Sequence, residues 1–539
     1  MRIAALLALC GTLAACRPAD LKNPETWINR LDENDPKRRV QAVQELRKLK
    51  AKQAAPQVAA MLKDPLVREE AAAALTDLAG PTEVQPLIDA IDTAVGAGSD
   101  AATRQTNRTN AKIAEALGNI GDPKSGEALL RLARAKDDLV RLAAVQSLGL
   151  IQAKTAVPEL ARLIDDDSSP PILVKKAVVS LGQIGDASGI PALLHALVME
   201  KGGVSFLAES SFALFLIGEP SVEPLLKLMD DKDAAWLAWA KENHRVASGT
   251  YAKAALVLGD LGDARAIPSL MAKLKYTDND PMPGTAHLLT NLVRQFSADA
   301  LGRLHAKEAA GAIANLVATK EPGDEDLTTF AVNALVYIGD RAQAKEVFKR
   351  GQTGLIRARM AALQGVALLA DGGLKKDFDA MIAKEKKGKA AECAKSVQEL
   401  TTAPTAEEAG ACDKLAASFS QLLPPLAAAE ECKEEAKCWA GKLAAPEALV
   451  RARAAFELGR AKAVETIPAL TKAATEEDLM ARLAGIRALE WMIGAPNAKD
   501  ALKAALAPVN ARLQAEQGQV NFIKVNEELK RLQVKLARL

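Results

Sequence analysis

Four histidines are the side chains of this sequence best suited to acid-base catalysis or metal binding near neutral pH. They are His195, His244, His287 and His305. None stands in an H-E-x-x-H motif, in which two histidines on one helical face hold zinc beside a general base. Glycine-rich phosphate loops are also missing, because the recurrent phrase L-G-x-I-G-D ends a helix instead of joining a strand to one. We therefore predict no catalytic residue, no cofactor-binding residue and no metal ligand.

Acidic runs are the next candidates for metal chemistry. They stand at Asp165-Asp166-Asp167 and at Asp324-Glu325-Asp326. Acids are common at helix starts, where they interact with free backbone N–H groups, and neither run has the full spacing of a calcium loop. Helix capping is the favoured interpretation, and calcium coordination is the alternative.

The first sixteen residues indicate export. Arg2 precedes an apolar run from Ile3 to Leu13, which is shorter than the about 20 apolar residues that a membrane span needs. The sequence Leu13-Ala14-Ala15-Cys16 resembles the lipobox of bacterial lipoproteins. This resemblance implies that residues 1–15 are a signal peptide and that Cys16 carries acyl chains such as palmitate, which anchor a protein stably to a membrane. A plain secretory signal followed by a chance cysteine is the alternative.

The residue after the lipidated cysteine bears on the membrane. In lipoproteins of this type an aspartate there often signals retention in the inner membrane, whereas this chain has Arg17. The resemblance thus implies a lipid-anchored protein of the cell envelope, at the outer membrane and facing the periplasm.

Composition favours helices and argues against nucleic-acid binding. The chain has 539 residues, of which 49% are hydrophobic but only 3% aromatic, so Ala and Leu supply the apolar fraction. The formal net charge is only +2, and a nucleic-acid binder needs a concentrated basic surface. We expect an all-α chain with no nucleic-acid partner.

Four further cysteines can form disulfides in an exported protein. They are Cys393, Cys412, Cys432 and Cys438. Short loops favour pairing Cys393 with Cys412 and Cys432 with Cys438, and the second pair needs a helix break between its members. A zinc site is the alternative, although the region has no paired C-x-x-C and no nearby histidine.

The phrase Leu-Gly-x-apolar-Gly-Asp recurs along the chain, and an apolar-Pro-x-Leu phrase often follows it. Pro158, Pro191 and Pro224 are each 33 residues apart, and Pro268 follows after 44. A period in the low thirties predicts stacked pairs of helices. In the copy at 251–274, Gly262 is expected to end one helix in a left-handed conformation. Asp263 then caps the next helix, and Pro268 lies in its first turn.

These phrases resemble the HEAT-repeat family, in particular the HEAT-like repeats of phycobilin lyases. The resemblance is also carried by segments in which an acid precedes Val-Arg and alanine pairs, at 64–75, 137–148 and 446–458. It implies an α-solenoid of helical hairpins and structural roles for Asp64, Arg68, Asp138, Arg141 and Arg451. The predicted organisation is a repeat array at 16–370, a cysteine-containing helical region at 371–443, further repeats at 444–508 and a C-terminal amphipathic capping helix at 509–539.

A metal-using hydroxylase of this family would need His-Glu pairs, and no histidine here is followed by glutamate. His195 lies in an ordinary first helix, and His305 takes the position of the glycine between two helices. Both are predicted to be structural.

Three insertions interrupt the array, and insertions in solenoids often lie on the binding side. Residues 93–110 are predicted to be a flexible loop, 231–250 to add one or two helical turns, and 275–289 to be a Pro and Gly loop. Trp236 and Trp239 in the second insertion are candidate partner-binding residues. Packing of the pair against its own scaffold is the favoured alternative.

The C-terminal stretch from 510 carries one apolar stripe. Its members are Val520, Ile523, Leu529, Leu532, Leu536 and Leu539. A cap on the last repeat is favoured over a partner-binding helix, because open arrays need caps.

Two functions compete on these grounds. The favoured one is a lipid-anchored, non-catalytic scaffold or adaptor that binds a protein or peptide partner. The alternative is an enzyme of the lyase type, or a small-ligand protein, with a site built from the insertions.

Overall fold

Helical hairpins account for most of the chain. The computed structural model describes residues 20–92, 100–280, 282, 284–402, 407–519 and 523–539. Within these residues the fold is α-helical apart from one small antiparallel hairpin, β1 (Glu200–Lys201) and β2 (Val204–Ser205), in which Glu200 pairs with Ser205. The predicted all-α solenoid of helical hairpins is confirmed.

The chain divides into two compact units, of which unit 1 ends at Ala213 and unit 2 begins at Leu214. The helices of unit 1 are α1 (Pro24–Ile28), α2 (Pro36–Lys48), α3 (Ala55–Ala60), α4 (Arg68–Leu78), α5 (Val84–Asp89), α6 (Ala101–Ile120), α7 (Gly126–Ala133), α8 (Asp138–Leu150), α9 (Val157–Asp165), α10 (Pro171–Ile184), α11 (Ile190–Val198) and α12 (Leu207–Ile217), the last of which contains the boundary.

Unit 2 continues the same alternation of short and long helices. Its helices are α13 (Val222–Met229), α14 (Ala234–Glu242), α15 (Ala247–Leu261), α16 (Ile267–Lys273), α17 (Thr285–Arg303), α18 (Ala310–Ala314), α19 (Asp324–Ile338), α20 (Ala344–Arg350), α21 (Ile356–Leu369), α22 (Lys375–Glu385), α23 (Ala390–Thr401), α24 (Ala411–Ser420), α25 (Leu423–Cys432), α26 (Ala436–Lys442), α27 (Ala448–Arg460), α28 (Ile467–Ala473), α29 (Leu479–Trp491), α30 (Lys499–Ala515) and α31 (Ile523–Ala537).

Short 3₁₀ turns connect or extend many of these helices. They comprise Asn29–Asp32, Lys52–Ala54, Met61–Lys63, Pro81–Glu83, Pro123–Ser125, Lys154–Ala156, Ala187–Gly189, Glu219–Ser221, Ala264–Ala266, Lys307–Ala309, Arg341–Gln343, Gly372–Leu374 and Val464–Thr466. Within a hairpin, the shorter helix with its proline near the start is the first helix, and the longer helix that ends at the Leu-Gly phrase is the second.

The turn between hairpins has the predicted geometry. Gly262 has φ 72°, and the Asp263 carboxylate accepts a hydrogen bond from the Arg265 backbone N–H at 2.9 Å. Pro268 lies in the first turn of α16, where its missing N–H costs no hydrogen bond. The same left-handed glycine recurs at Gly121, Gly185 and Gly339. His305 also has a positive φ of 52°, so it does take the glycine position in its turn.

Second helices stack directly on one another, α4 to α6 to α8 to α10 in unit 1 and α15 to α17 to α19 to α21 in unit 2. The glycine of the Leu-Gly phrase makes this close approach possible. A Cβ atom on Gly302 would lie 2.6 Å from the Ala334 Cα of the next helix, and one on Gly259 would lie 2.9 Å from the Ala300 Cα.

The first insertion differs from its prediction. Residues 93–99 lie outside the described residues, but α6 begins at Ala101, so 101–110 is helix and not loop. The Asp100 carboxylate caps the helix by accepting from the Thr103 N–H at 2.9 Å. The buried Asn110 amide donates to the Asp92 carbonyl at 2.7 Å, so a side chain expected in solvent instead fixes this helix.

The structure agrees only in part with the predictions for the other two insertions and for the C-terminal helix. The second insertion adds helix α14, as expected, and α17 begins at Thr285 within the predicted third loop. The C-terminal stretch is not one helix, because α30 ends at Ala515 and α31 starts at Ile523. Val520 lies outside the described residues. No described helix is long and apolar enough to span a bilayer.

Candidate functional site

The residue that follows the Leu-Gly phrase occupies an equivalent repeat position near the end of the second helix of its hairpin. In unit 1 it is Asn119, Leu150 or Gln183, and in unit 2 it is Asp260, Arg303 or Arg460. Tyr337 and Trp491 take this place in helices whose phrase lacks the glycine. The glycine of the phrase contacts the second helix of the next hairpin. The residue after it therefore points to another side of the helix, which it shares with residues one helical turn earlier. We call this surface the second-helix face.

In unit 1 the second-helix face is open to solvent across α8 and α10. Leu139 and Leu150 of α8 are 49% and 45% exposed, and Ile172 and Val179 of α10 are 53% and 39% exposed. The Lys176 ammonium donates to the Gln146 side chain at 2.9 Å and so links the two helices. Exposed large apolar side chains that share one face of neighbouring helices are candidates for a binding surface.

The neighbouring part of this face, on α4 and α6, is polar. Arg108 pairs with Glu69 at 2.6 Å, and the Asn119 amide donates to the Thr76 carbonyl at 2.9 Å. The open face of unit 1 thus combines an apolar area with an adjoining charged area, which is the usual composition of a protein interface.

In unit 2 the same face is buried under the unit's own helices. Tyr337 of α19 packs against Phe456 of α27 and Trp491 of α29, with ring centroids 5.8 and 6.1 Å apart. The His305 ring meets the Trp491 ring edge-on at 4.7 Å. Helices α27 and α29 therefore cover positions that are exposed in unit 1.

Helix α31 covers the face at α15 and α17 through ion pairs. Arg531 pairs with Asp260 at 2.7 Å, and Glu528 pairs with Arg303 at 2.7 Å. Lys535 pairs with Glu490 of α29 at 2.8 Å. Burial alone would raise the pKa of Glu490, but the charges of Lys535 and Arg487 hold that pKa at about 2. Glu490 is therefore ionised at neutral pH, whereas burial raises the pKa of Asp260 above its usual value.

A second buried cluster joins α27 to the ends of α19 and α21. Arg453 is fully buried and donates to the Ala367 carbonyl at 2.7 Å, and Arg460 donates to the Val336 carbonyl at 2.7 Å. Burial lowers the pKa of Arg453 to about 10, because Glu457 compensates its charge only in part. These arginines satisfy helix-end carbonyls and so act as structural links.

Two of the cavities with charged side chains in their walls are large enough for a small ligand. One, of about 920 Å³, lies beside α3 and α5 and is lined by Arg68, Glu83, Asp89 and Asp92 among others. The other, of about 640 Å³, is lined in part by Arg341, Lys433, Arg453, Asp371, Glu430 and Glu434. The second wall carries three bases and three acids, so it has no net charge that would select an anion or a cation.

The residues singled out from sequence for partner binding do not join the second-helix face. Trp236 is buried in unit 2 and stacks on Trp239 within α14, with ring centroids 5.2 Å apart. The packing alternative therefore describes Trp236, whereas Trp239 is half-buried. Cys16 and the rest of the lipobox lie outside the described residues.

The structure pairs Cys393 with Cys412 and Cys432 with Cys438, with Cα atoms 5.0 and 5.3 Å apart. This is the pairing favoured from the sequence. Helix α25 ends at Cys432 and α26 starts at Ala436, so the required break is present. Glu431 lies near the second pair, but sulfurs held in a disulfide offer no thiolate to zinc.

The acidic runs and the family-type acid and arginine residues make structural contacts. Asp166 accepts from the Ser168 N–H at 2.9 Å, and Asp324 accepts from the Glu321 N–H at 2.7 Å. Asp64 pairs with Arg39 at 2.6 Å, which links α2 to the next hairpin. Arg451 pairs with Glu476 at 3.1 Å in the same way.

Sequence reasoning did not identify the second-helix face, although a signal for it exists. The residue after Leu-Gly is Asn, Leu or Gln in unit 1 and an ionisable residue in three phrases of unit 2. Ionisable side chains at a fixed repeat position indicate that the face is used for specific pairing.

Two family models match the chain. The HEAT repeats family matches residues 24–105, 100–178, 126–213 and 440–518, and the PBS lyase HEAT-like repeat matches residues 251–276. No protein of curated function matches the chain significantly.

Solved structures with a similar fold share little sequence with this chain. A crystal structure of importin beta obtained in a polyethylene glycol condition is 12% identical in sequence, and the match covers 95% of this chain and 75% of that one, with a TM-score of 0.46. Yeast importin-beta (Kap95p) is 14% identical over 95% and 77%, with a TM-score of 0.41. The complex of CpcE and CpcF of phycocyanin lyase from Nostoc is 20% identical over 56% and 99%, with a TM-score of 0.25.

Proposed function

Since this chain contains HEAT repeats and folds as an all-α solenoid, we propose that it is a non-catalytic scaffold that binds a protein or peptide partner through unit 1. The binding surface is the open second-helix face of α8 and α10. The observation that carries the proposal is the contrast between the units. Equivalent positions are covered by the chain itself in unit 2 and are exposed in unit 1.

The chemistry of the open face suits a partner with an apolar anchor. Leu150 and Val179 offer exposed aliphatic surface, and Lys176 and Gln146 supply hydrogen-bonding groups beside it. Apolar anchors at the centre of an interface contribute most of the binding free energy, and polar groups at the rim fix the register.

Site-specific photo-crosslinking tests this surface. A photoreactive residue at position 179 should crosslink to one specific partner in native membranes, and Leu150→Glu should remove that crosslink because it places a charge in the apolar area. The matched control is Leu237→Glu on α14, which replaces a leucine that is 42% exposed elsewhere. A crosslink that survives Leu150→Glu, or one lost equally with Leu237→Glu, contradicts the proposal.

We also propose that the scaffold is held at the cell envelope by lipid on Cys16, at the outer membrane and facing the periplasm. The support is the sequence of residues 2–16, in which a basic start and an apolar run lead to Leu-Ala-Ala-Cys. Two or three acyl chains make an effectively stable anchor, since each buried methylene adds about 0.8 kcal/mol.

Lipid labelling with envelope fractionation tests the anchor. The native chain should incorporate labelled fatty acid and sediment with outer membranes, and Cys16→Ser should do neither. Cys412→Ser is the control for loss of a cysteine as such. Lipid incorporation into the Cys16→Ser chain would exclude this residue as the anchor.

A small-ligand site is a second candidate function, favoured by the cavity beside α3 and α5. In the wall of this cavity, Arg68 donates a hydrogen bond to the Ala90 carbonyl at 2.8 Å. Asp89 and Asp92 add two carboxylates to the same wall. Thermal-shift screening of small charged metabolites against the native chain and Arg68→Met tests it. A ligand that stabilises only the native chain would support this function, and no shift with any compound would count against it.

A further inference from the structure

Helix α31 lies on a surface that belongs to distant parts of unit 2. Its Arg531 meets Asp260 of α15, 271 residues away in sequence, and its Glu528 meets Arg303 of α17, 225 residues away. Helix α31 also packs against α29 and α30, so the predicted cap on the last hairpin is only part of its role. It lies across the second-helix face, which in unit 1 is open.

We propose that this part of the second-helix face is a binding site for an amphipathic helix of a partner protein, and that α31 occupies it as an exchangeable internal ligand. The site comprises Asp260, Asp299, Arg303, Arg487 and Glu490. It is separate from the face of unit 1, and it does not depend on the function proposed for that face.

The charged residues of the site remain in ion pairs with one another when α31 dissociates from the site. Arg303 pairs with Asp260 at 2.6 Å and with Asp299 at 2.7 Å, both on the face itself. Arg487 likewise pairs with Glu490 at 2.6 Å within α29. Removing one member of a buried ion pair is costly mainly because an isolated charge stays behind. Release of α31 isolates none of these five groups, so it leaves no unpaired charge on the site.

The contacts of α31 define the helix that can replace it. Leu529, Leu532 and Leu536 are fully buried and form one stripe, with spacings of three and four residues. Glu528 and Arg531 flank the stripe and complement Arg303 and Asp260, and Lys535 complements Glu490. A partner helix therefore needs the order Glu-Leu-x-Arg-Leu-x-x-Lys-Leu or its charge equivalent, which is recognition of a helix in a groove by spaced anchors.

The same kind of face is stable without a cover elsewhere in this protein. In unit 1, Leu150 and Val179 stand at the repeat positions of unit 2 that α31 and α29 cover, and they are exposed. Arg108 and Glu69 likewise pair on that face without a covering helix. A solvated second-helix face is thus compatible with an intact stack of hairpins.

A labelled synthetic peptide with the sequence of residues 523–539 tests the proposal on the full-length chain. In the double variant Glu528→Lys with Arg531→Glu, the chain's own α31 repels Arg303 and Asp260, and the free peptide should bind with a Kd at least tenfold lower than to the native chain. Lys530→Glu is the control, because Lys530 is exposed on α31 and its reversal should leave the Kd as in the native chain.

A second peptide that carries both reversals should not bind the double variant's site. Equal binding of the two peptides would overturn the charge register, and no binding of either would overturn the site. A dimer of the native chain in size-exclusion chromatography that is lost in the double variant would assign the site to a second copy's α31 instead of a partner helix.

If the double variant does not fold, hydrogen exchange of the native chain tests the proposal instead. If α31 is exchangeable, the amides of 523–537 should exchange at least 100-fold faster than those of 479–491 in α29. Exchange of both helices at one common rate would show that α31 opens only with global unfolding, and the proposal would then be wrong.

Discussion

At the residue scale, one repeat position has opposite roles in the two units. Leu150 and Arg303 both follow the Leu-Gly phrase, yet the first is exposed and the second lies in a buried ionic cluster. The side chain type follows the environment, because a buried guanidinium is tolerated only where carboxylates and carbonyls surround it. Arg303 meets three carboxylates within 2.7 Å, from Asp260, Asp299 and Glu528.

Replacing Arg303 by Met should strongly destabilise unit 2, because three buried carboxylates lose their shared cation. We expect a loss of about 3–5 kcal/mol in the free energy of unfolding, the usual range for breaking a buried ionic contact, measured by urea denaturation. Lys389→Met is the control, since Lys389 and its partner Glu392 are both largely exposed and should give no measurable change. Similar small effects for both variants would mean that the cluster contributes little.

His305 makes stability depend on pH in a predictable direction. Burial, helped by the charges of Arg460 and Lys462, lowers the pKa of the imidazole below 6.5, although its hydrogen bond to the Tyr337 carbonyl acts the other way. The folded state thus prefers the neutral ring. Stability is full above about pH 6.5 and falls as the pH drops from there to the folded pKa, because the unfolded chain binds the proton more tightly.

Denaturation at pH 7.5 and at pH 5.5 tests this dependence. The native chain should lose more stability between the two conditions than His305→Asn, a substitution that tolerates the positive φ at this position. The other three histidines are present in both proteins, so the difference isolates His305. An equal loss in both would contradict the predicted pKa shift.

At the element scale, glycines of the Leu-Gly phrase set how closely second helices approach. A Cβ added at Gly302 would lie 2.6 Å from the Ala334 Cα. The Cα is a backbone atom and cannot rotate away. A helical glycine otherwise weakens its helix. Its presence at this position is therefore explained by packing between elements and not by the helix to which it belongs.

Gly302→Ala should lower the free energy of unfolding by about 1–3 kcal/mol, since the added methyl overpacks the contact between α17 and α19. Gly311→Ala is a matched control in helix α18, because a Cβ there has no atom within 4 Å. That change should raise stability by about 0.5–1 kcal/mol through helix propensity. Thermal and urea unfolding measure both, and effects of the same sign would refute the packing argument.

At the scale of the whole molecule, each unit is a stack in which second helices contact their neighbours in sequence, and unit 2 adds contacts between distant helices. Stability in a repeat array is approximately a sum over hairpins and their interfaces. Damage to one hairpin should therefore spread first to its neighbours. In unit 2 the covering helices extend this coupling to hairpins that are far apart in sequence.

Leu148→Ala in unit 1 should show this locality. Leu148 is fully buried in α8, and its truncation should cost about 2–5 kcal/mol locally. Hydrogen exchange is expected to quicken in α6, α8 and α10 while α27 and α29 keep their protection. A uniform loss of protection along the chain would instead mean that both units unfold together.

Much of the fold could be predicted because its signals are local. The left-handed glycine, the aspartate cap and the proline of each turn lie within a few residues of one another, and Gly262, Asp263 and Pro268 behave as predicted. The cysteine pairs could also be inferred, because their loops are short. The loop predicted at 93–110 was wrong over the described residues 100–110, because polar residues were assumed to face solvent, whereas Asn110 is buried and hydrogen-bonded.

The sequence by itself determined the hairpin and the turn, since each depends on φ angles and hydrogen bonds within one repeat. Only the tertiary structure decided which second-helix faces are open. That outcome depends on α27, α29 and α31 packing against α15, α17 and α19, through pairs such as Asp260 with Arg531 that are 271 residues apart. No local pattern specifies such pairs, because the same charged residue can face solvent or a distant helix.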